Sequence, residues 1–182
     1  MRLVAANLIA TASLVTFLSG FASADIGVGD VPESLKVPAT QTLAVTAQAR
    51  GVQIYECGVS KADPARFEWI FKAPEAELFD KAGKRIGKHY AGPTWESDDG
   101  SKVVGAAKAR DDGPDANAIP WLLLSTTSAE GNGIFGKTQS VQRMKTVGGK
   151  APADGCNQAQ LGKIARVAYR ATYNFYDARP NK

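Results

Sequence analysis

The chain has 182 residues, 44% of them hydrophobic, with 22 Lys and Arg against 18 Asp and Glu and a formal net charge of +4. The two signs alternate, and no basic run is longer than Lys84-Arg85; this gives no case for a nucleic-acid partner and little for anionic surfaces.

At the N-terminus, Arg2 precedes an apolar stretch from Leu3 to Phe21, and Ala22-Ser23-Ala24 fits a small-x-small cleavage site. A cleaved signal peptide over 1–24 is expected. The stretch is short for a spanning helix, is diluted by polar residues and has no basic flank after Ala24. Removing 24 of the 182 residues leaves 158, the length of one domain. No later stretch is long and apolar enough to cross a bilayer, so no transmembrane segment is expected after cleavage. The destination is a periplasm or the extracellular space.

Residues 25–41 are rich in Gly and Pro and read as an extended lead-in, with Leu35 and Val37 as candidates to pin it to the core. From residue 42 onward the hydrophobic period is mostly two. Leu43–Ala47 and Val52–Cys57 are the first strands, followed by Phe67–Phe71 and Ala76–Asp80. The turn residues Asp80 to Gly83 return the chain as Arg85–Tyr90. Ala91-Gly92-Pro93 breaks the pattern before Thr94–Glu96, and Ser97–Gly100 turns into Lys102–Val104.

Residues 110–118 form a polar loop. Ile119–Leu124 is a continuous apolar run, as expected of a strand buried on both faces. Gly136–Val147 and Ile164–Tyr176 form a last pair of strands. In the second of them Val167, Tyr169, Ala171, Tyr173 and Phe175 share one face. Only Ala106–Arg110 and Asn157–Lys163 suggest a turn or two of helix. About ten short strands in one domain over 42–182 predict an all-β antiparallel sandwich or barrel.

Cys57 and Cys156 are the only cysteines, in a chain read as bound for an oxidising compartment, so a structural disulfide is expected. Closing a loop of 99 residues contributes about 4–5 kcal/mol in the chain-entropy account. Two distant thiols and one histidine do not complete a zinc site; Ser97–Ser101 lacks the spacing and the late Glu of a calcium loop, and Asp111, Asp112 and Asp115 could gather a cation or equally just solvate their loop. No metal or cofactor is expected.

The only histidine, His89, lies close in sequence to Tyr90, Trp95, Glu96 and Asp98. On a strand, His89 shares a face with Arg85 and Gly87, and the break at Gly92-Pro93 can fold Trp95 and Glu96 beside it. Two readings follow. His89 acts as an acid or base oriented by Glu96 or Asp98, or it organises the turn through a backbone hydrogen bond. Trp95 is the aromatic best placed to stack on a ligand such as a sugar ring. Gly131-Asn-Gly133-Ile-Phe-Gly136 is a literal G-x-G-x-x-G, but no helix opens on it and no βαβ unit surrounds it, so it reads as a hairpin loop and not as a dinucleotide site.

Gly51-Val-Gln-Ile-Tyr-Glu-Cys57, Gly87-Lys-His-Tyr-Ala-Gly-Pro-Thr-Trp-Glu96, Asp99-Gly-Ser101, Ile119–Leu124, Gln142-Arg143, Gly148-Gly149 and Tyr173–Tyr176 occur in this order. Together they resemble the family of secreted bacterial and fungal proteins known as domain of unknown function 3455. The resemblance implies export and a single domain but no activity and no catalytic residue. Some fungal relatives carry a malate dehydrogenase label, which the setting of the glycine motif here does not support.

The leading reading is a non-enzymatic exported protein that binds a small molecule or glycan, with His89, Tyr90, Trp95 and Glu96 as candidate ligand-binding residues. The alternatives are a hydrolase or lyase using His89 with Glu96 or Asp98, and a structural or interaction protein of the envelope.

Overall fold

The computed structural model describes residues 31–180. The expected signal segment and the start of the lead-in lie outside the described residues. Eight strands run in chain order: β1 (Gln41–Val59), β2 (Phe67–Phe79), β3 (Arg85–Tyr90), β4 (Thr94–Ser97), β5 (Lys102–Asp111), β6 (Trp121–Glu130), β7 (Thr138–Gly148) and β8 (Ile164–Ala178). Each pairs antiparallel with the next, and β8 returns to β1, so the sheet closes into an up-and-down barrel. Closure leaves no open sheet edge. Of the two all-β architectures expected, the barrel is the one that forms.

The period-two pattern sorts residues between the two sides of the wall. Ala47 and Ala49 of β1, Leu78 of β2, Trp95 of β4 and Tyr169, Ala171, Tyr173 and Phe175 of β8 form the interior core. Outside, cross-strand ion pairs such as Arg166–Glu75, Lys88–Glu96 and Lys102–Glu130 line the wall, where a lipid-facing barrel carries an apolar band. Among the described residues no helix is long and apolar enough to cross a membrane.

Two glycines permit this curvature. A Cβ on Gly51 would lie 2.1 Å from Glu75 O, and one on Gly87 would lie 2.2 Å from Glu96 O. Any side chain at either position forces the neighbouring strand away.

A second, smaller core lies outside the barrel. Leu35 of the lead-in is fully buried against Trp121 and Leu123 of β6 and Met144 of β7, with Val31 and Val37 beside it. Gln142 Nε2 donates to Leu35 O at 2.6 Å and fixes the segment. This explains the uninterrupted apolar run of β6. Leu124 faces the barrel interior and Trp121 and Leu123 face the lead-in, so the strand is buried on both sides.

Local expectations are corrected where separate runs merge, so that eight strands form and not about ten: Leu43–Ala47 and Val52–Cys57 are one strand, β1. Phe67–Phe71 and Ala76–Asp80 belong to one strand, β2, that continues through Pro74. The register slips opposite Ile54 and Tyr55, and β2 pairs with β3 only from Ala76 onward. Pro74 therefore sits beyond β3, where its missing N–H costs no ladder bond. Ala106–Arg110 is part of strand β5, because pairing with β6 on a closed wall overrides the helical preference of alanine. Trp69, in the same strand β2, is partly exposed, and its indole N–H donates to Asp154 O at 2.9 Å. The helical signal after Asn157 survives as a single 3-10 turn, Gln158–Gln160.

Candidate functional site

The alternating topology gathers the turns into two sets, and the two ends of the barrel differ. The β4–β5 and β6–β7 turns close one end. Phe135, in the glycine-rich β6–β7 turn, is fully buried with its ring centroid 4.3 Å from that of Phe175. Asp99 holds this turn in place: its carboxylate accepts from Ile134 N at 2.8 Å and from Ser101 Oγ at 2.6 Å, and Ser101 Oγ accepts from Phe135 N at 3.0 Å. These hydrogen bonds, led by the one from Ser101, hold the Asp99 carboxyl down at about 2. The G-x-G-x-x-G segment is thus a plugged hairpin loop.

The other end is open. β3 and β4 have only 6 and 4 residues, so the wall is low between them and the upper half of β2. A cavity of about 580 Å³ enters there. Its mouth is lined by Phe71, Lys72, Pro74, Ala91, Gly92 and Pro93, and its deeper wall includes Gln53, His89, Trp95, Leu124, Arg143 and Tyr173. The volume is that of a small-ligand site. It survives because Ala107 faces it from β5, while the large rings of Trp95, Tyr173, Phe135 and Phe175 fill the space towards the closed end.

His89 and Trp95 are directly opposed in the β3–β4 register. Their rings stack with centroids 4.6 Å apart at 8°, and Tyr173 meets both edge-on at 5.0 and 5.3 Å. His89 is 2% exposed and Trp95 1%. His89 Nδ1 lies 2.8 Å from Thr94 O. A carbonyl only accepts, so Nδ1 carries the proton and Nε2 is left with its lone pair. Burial pushes the imidazole down to about 3; the Thr94 bond opposes this, and the Arg143 charge adds to it. The ring is neutral at all ordinary pH.

Alternation sends the other sequence candidates elsewhere. Tyr90 and Glu96 face outward, where Tyr90 Oη donates to Glu96 Oε2 at 2.7 Å and Lys88 pairs with Glu96 at 3.2 Å. The Tyr90 bond is the main cause holding Glu96 below the usual carboxylate range. Asp98 lies in the turn at the closed end, where Arg85 Nη1 donates to both of its carboxylate oxygens. Neither carboxylate reaches His89, so the expected acid–base pairs do not form. Trp95 also presents no open face for a sugar ring, because His89 covers one side and Tyr173 and Phe175 pack edge-on against it.

Asp111, Asp112 and Asp115 each serve their own loop, bonding Gly113 N, Arg110 and Asn117 N. No group of three or more metal-ligating side chains occurs among the described residues.

Sequence reasoning passed over Gln53, Tyr55 and Arg143. The signal was present: Gln53 interrupts the inward face of β1, and Arg143 shares the inward face of β7 with Val141. Tyr55 Oη donates to Gly149 O at 2.6 Å, and Arg143 Nε and Nη2 donate to Pro120 O at 3.0 and 2.9 Å.

The family described as protein of unknown function (DUF3455) matches residues 38–177. The chain belongs to that family. The match spans all eight strands of the barrel but for the last residue of β8, and ends beyond the core residues Tyr173 and Phe175. Neither the curated proteins nor the solved structures contain a match to this chain.

The buried neutral imidazole has a measurable consequence. Its folded pKa is depressed below the unfolded value, so the unfolded chain binds the extra proton between about pH 6.5 and 3. Stability is full above that window and falls as the pH drops through it, by at most roughly 5 kcal/mol. Asp99 acts in the same direction over a lower window, from its ordinary value down to about 2. His89 is the only histidine, so its ring resonances in a carbon–proton NMR spectrum are unambiguous. They are expected to stay constant from pH 8 to 4.5. A midpoint near 6.5 would show a solvated ring and refute the placement.

Proposed function

We infer that the protein is an exported, non-enzymatic binding module that takes a small, largely apolar molecule into the open end of its barrel. The observation that carries this reading is the cavity of about 580 Å³, backed by the rings of Trp95 and Tyr173 and walled by apolar side chains with a few fixed polar groups. Export is supported by the N-terminal sequence and by the Cys57–Cys156 bond, which forms in oxidising compartments. A glycan-stacking role has less support, because Trp95 is enclosed. A hydrolase or lyase role has less as well, since His89 is neutral and lacks a carboxylate partner.

The neutral fluorescent probe N-phenyl-1-naphthylamine tests the reading. Saturable fluorescence enhancement is expected with the native protein. Ala107→Trp, which projects an indole into the mouth, should weaken it at least tenfold while the far-ultraviolet circular dichroism stays unchanged. Absence of saturable uptake by native protein would remove the basis for the proposal.

A further inference from the structure

We propose that the molecule held in this cavity carries a carboxylate, anchored end-on by Arg143 with Tyr173 and Gln53 completing the cradle. This rests on the cavity being a binding site and adds the chemical class of its occupant.

The first ground is the charge of the wall. Lys72, Arg110 and Arg143 line the cavity, and no Asp or Glu does. Lys72 and Arg110 sit at the rim and are paired with Glu56 and Asp112. Arg143 is the inner cation, and among the described residues it forms no ion pair with a carboxylate.

The second ground is how Arg143 is held. A guanidinium offers five N–H groups in a planar fork. The side edge, Nε and Nη2, is fixed on Pro120 O. That contact orients the group and leaves its remaining N–H groups with no carboxylate acceptor, the Tyr173 hydroxyl being beside the guanidinium. A planar pair of donors of this kind matches the two oxygens of a carboxylate.

The third ground is the surrounding unpaired polar groups. Buried polar atoms without partners are rare, yet Gln53 Nε2 is buried and unpaired, and Tyr173 Oη, buried beside Arg143 and Tyr169, forms no hydrogen bond of good geometry with either. Both residues line this cavity, and Tyr173 stands directly opposite Arg143 in the β7–β8 register. Burial raises the Tyr55, Tyr169 and Tyr173 hydroxyls and the Arg143 charge opposes it, while at His89 the same charge adds to the downward effect of burial. The polar groups left over here are donors around a positive charge, so the complementary ligand group is an anionic acceptor. The apolar body of such a ligand lies against Leu122, Leu124 and Ile119 of the same wall.

The experiment is competition for N-phenyl-1-naphthylamine by a matched pair, 1-naphthoate and the neutral 1-naphthamide, on the full mature protein. In the native protein, naphthoate is expected to displace the probe at concentrations about ten- to a hundredfold lower than naphthamide, the ratio typical of a charge-assisted bidentate contact. Arg143→Gln should bring the two competitors to equal strength, compared with each other in the same variant.

Should Arg143→Gln not fold, because Pro120 O loses its partner, Arg143→Lys keeps a donor and the charge but not the fork. It should reduce the ratio severalfold. Equal displacement by the two competitors in native protein overturns the carboxylate assignment and leaves the cavity reading standing. A ratio that survives both Arg143 variants overturns the role of Arg143. Failure of native protein to bind the probe at all overturns the binding reading itself, and is thereby distinguished from the other two.

Discussion

Replacing Phe135 with alanine is expected to destabilise the protein by about 3–5 kcal/mol, the range for removing a fully buried aromatic ring whose surroundings cannot collapse into the space. Collapse is hindered here because the Phe135 backbone is held from outside the ring. Ile134 N and Phe135 N stay bonded to Asp99 and Ser101 whatever the side chain at 135, and Phe175, its partner at 4.3 Å, is fixed in β8. The void therefore remains. Phe135→Leu retains most of the volume and should cost about 1.5 kcal/mol or less. Urea unfolding at constant slope measures both. A loss below 1 kcal/mol for the alanine variant would mean that this ring does not close the barrel.

The second large effect is that of the Cys57–Cys156 bond. The two residues are 99 apart in sequence, and the bond joins the rim end of β1 to the β7–β8 loop. Its removal in a Cys57→Ala/Cys156→Ala double variant is expected to cost about 2–5 kcal/mol, chiefly by freeing the unfolded chain. The folded rim has other ties: Gly162 N donates to Cys57 O, Tyr55 Oη to Gly149 O and Trp69 Nε1 to Asp154 O. The double variant should then unfold at lower urea yet bind N-phenyl-1-naphthylamine as the native protein does in its absence. Unchanged stability would contradict the loop-closure account. Lost probe binding in a folded variant would show that the bond shapes the mouth itself.

These expectations differ in how far they were legible. The disulfide needed only a count of cysteines and a compartment. The all-β class needed only the alternation of β1 and β8, in which Tyr169, Ala171, Tyr173 and Phe175 fall on one face as the sequence pattern predicts. Ile119–Leu124 reads as a strand covered on both sides, and Leu35 as a pin for the lead-in; both hold, because a run without polar residues must be buried twice. The errors arose where a local signal was weaker than pairing. Alanines at 106, 107 and 109 favour helix in isolation, and residues 72–75 separate two apolar runs, but a wall that closes on itself takes both segments into strands.

The site follows the same division. Period two in β3 and β4 already places His89 with Trp95 and apart from Tyr90 and Glu96, once the Gly92-Pro93 turn brings Trp95 opposite His89. What alternation does not record is which face is inside. Polar Gln53, His89 and Arg143 sit on inward faces, against the usual expectation. They are there because the barrel is unfilled at one end, and that depends on long-range features. β3 and β4 are shorter than their neighbours, Phe135 crosses from a distant turn to fill the other end, and no large side chain projects from Ala107. Local residue order by itself determined strands, turns, the covalent clasp and the family. The cavity, its single inner cation and the separation of His89 from every carboxylate were decided by tertiary structure. Empty space and unpaired charge are properties of residues far apart in sequence meeting, or failing to meet, across a closed wall.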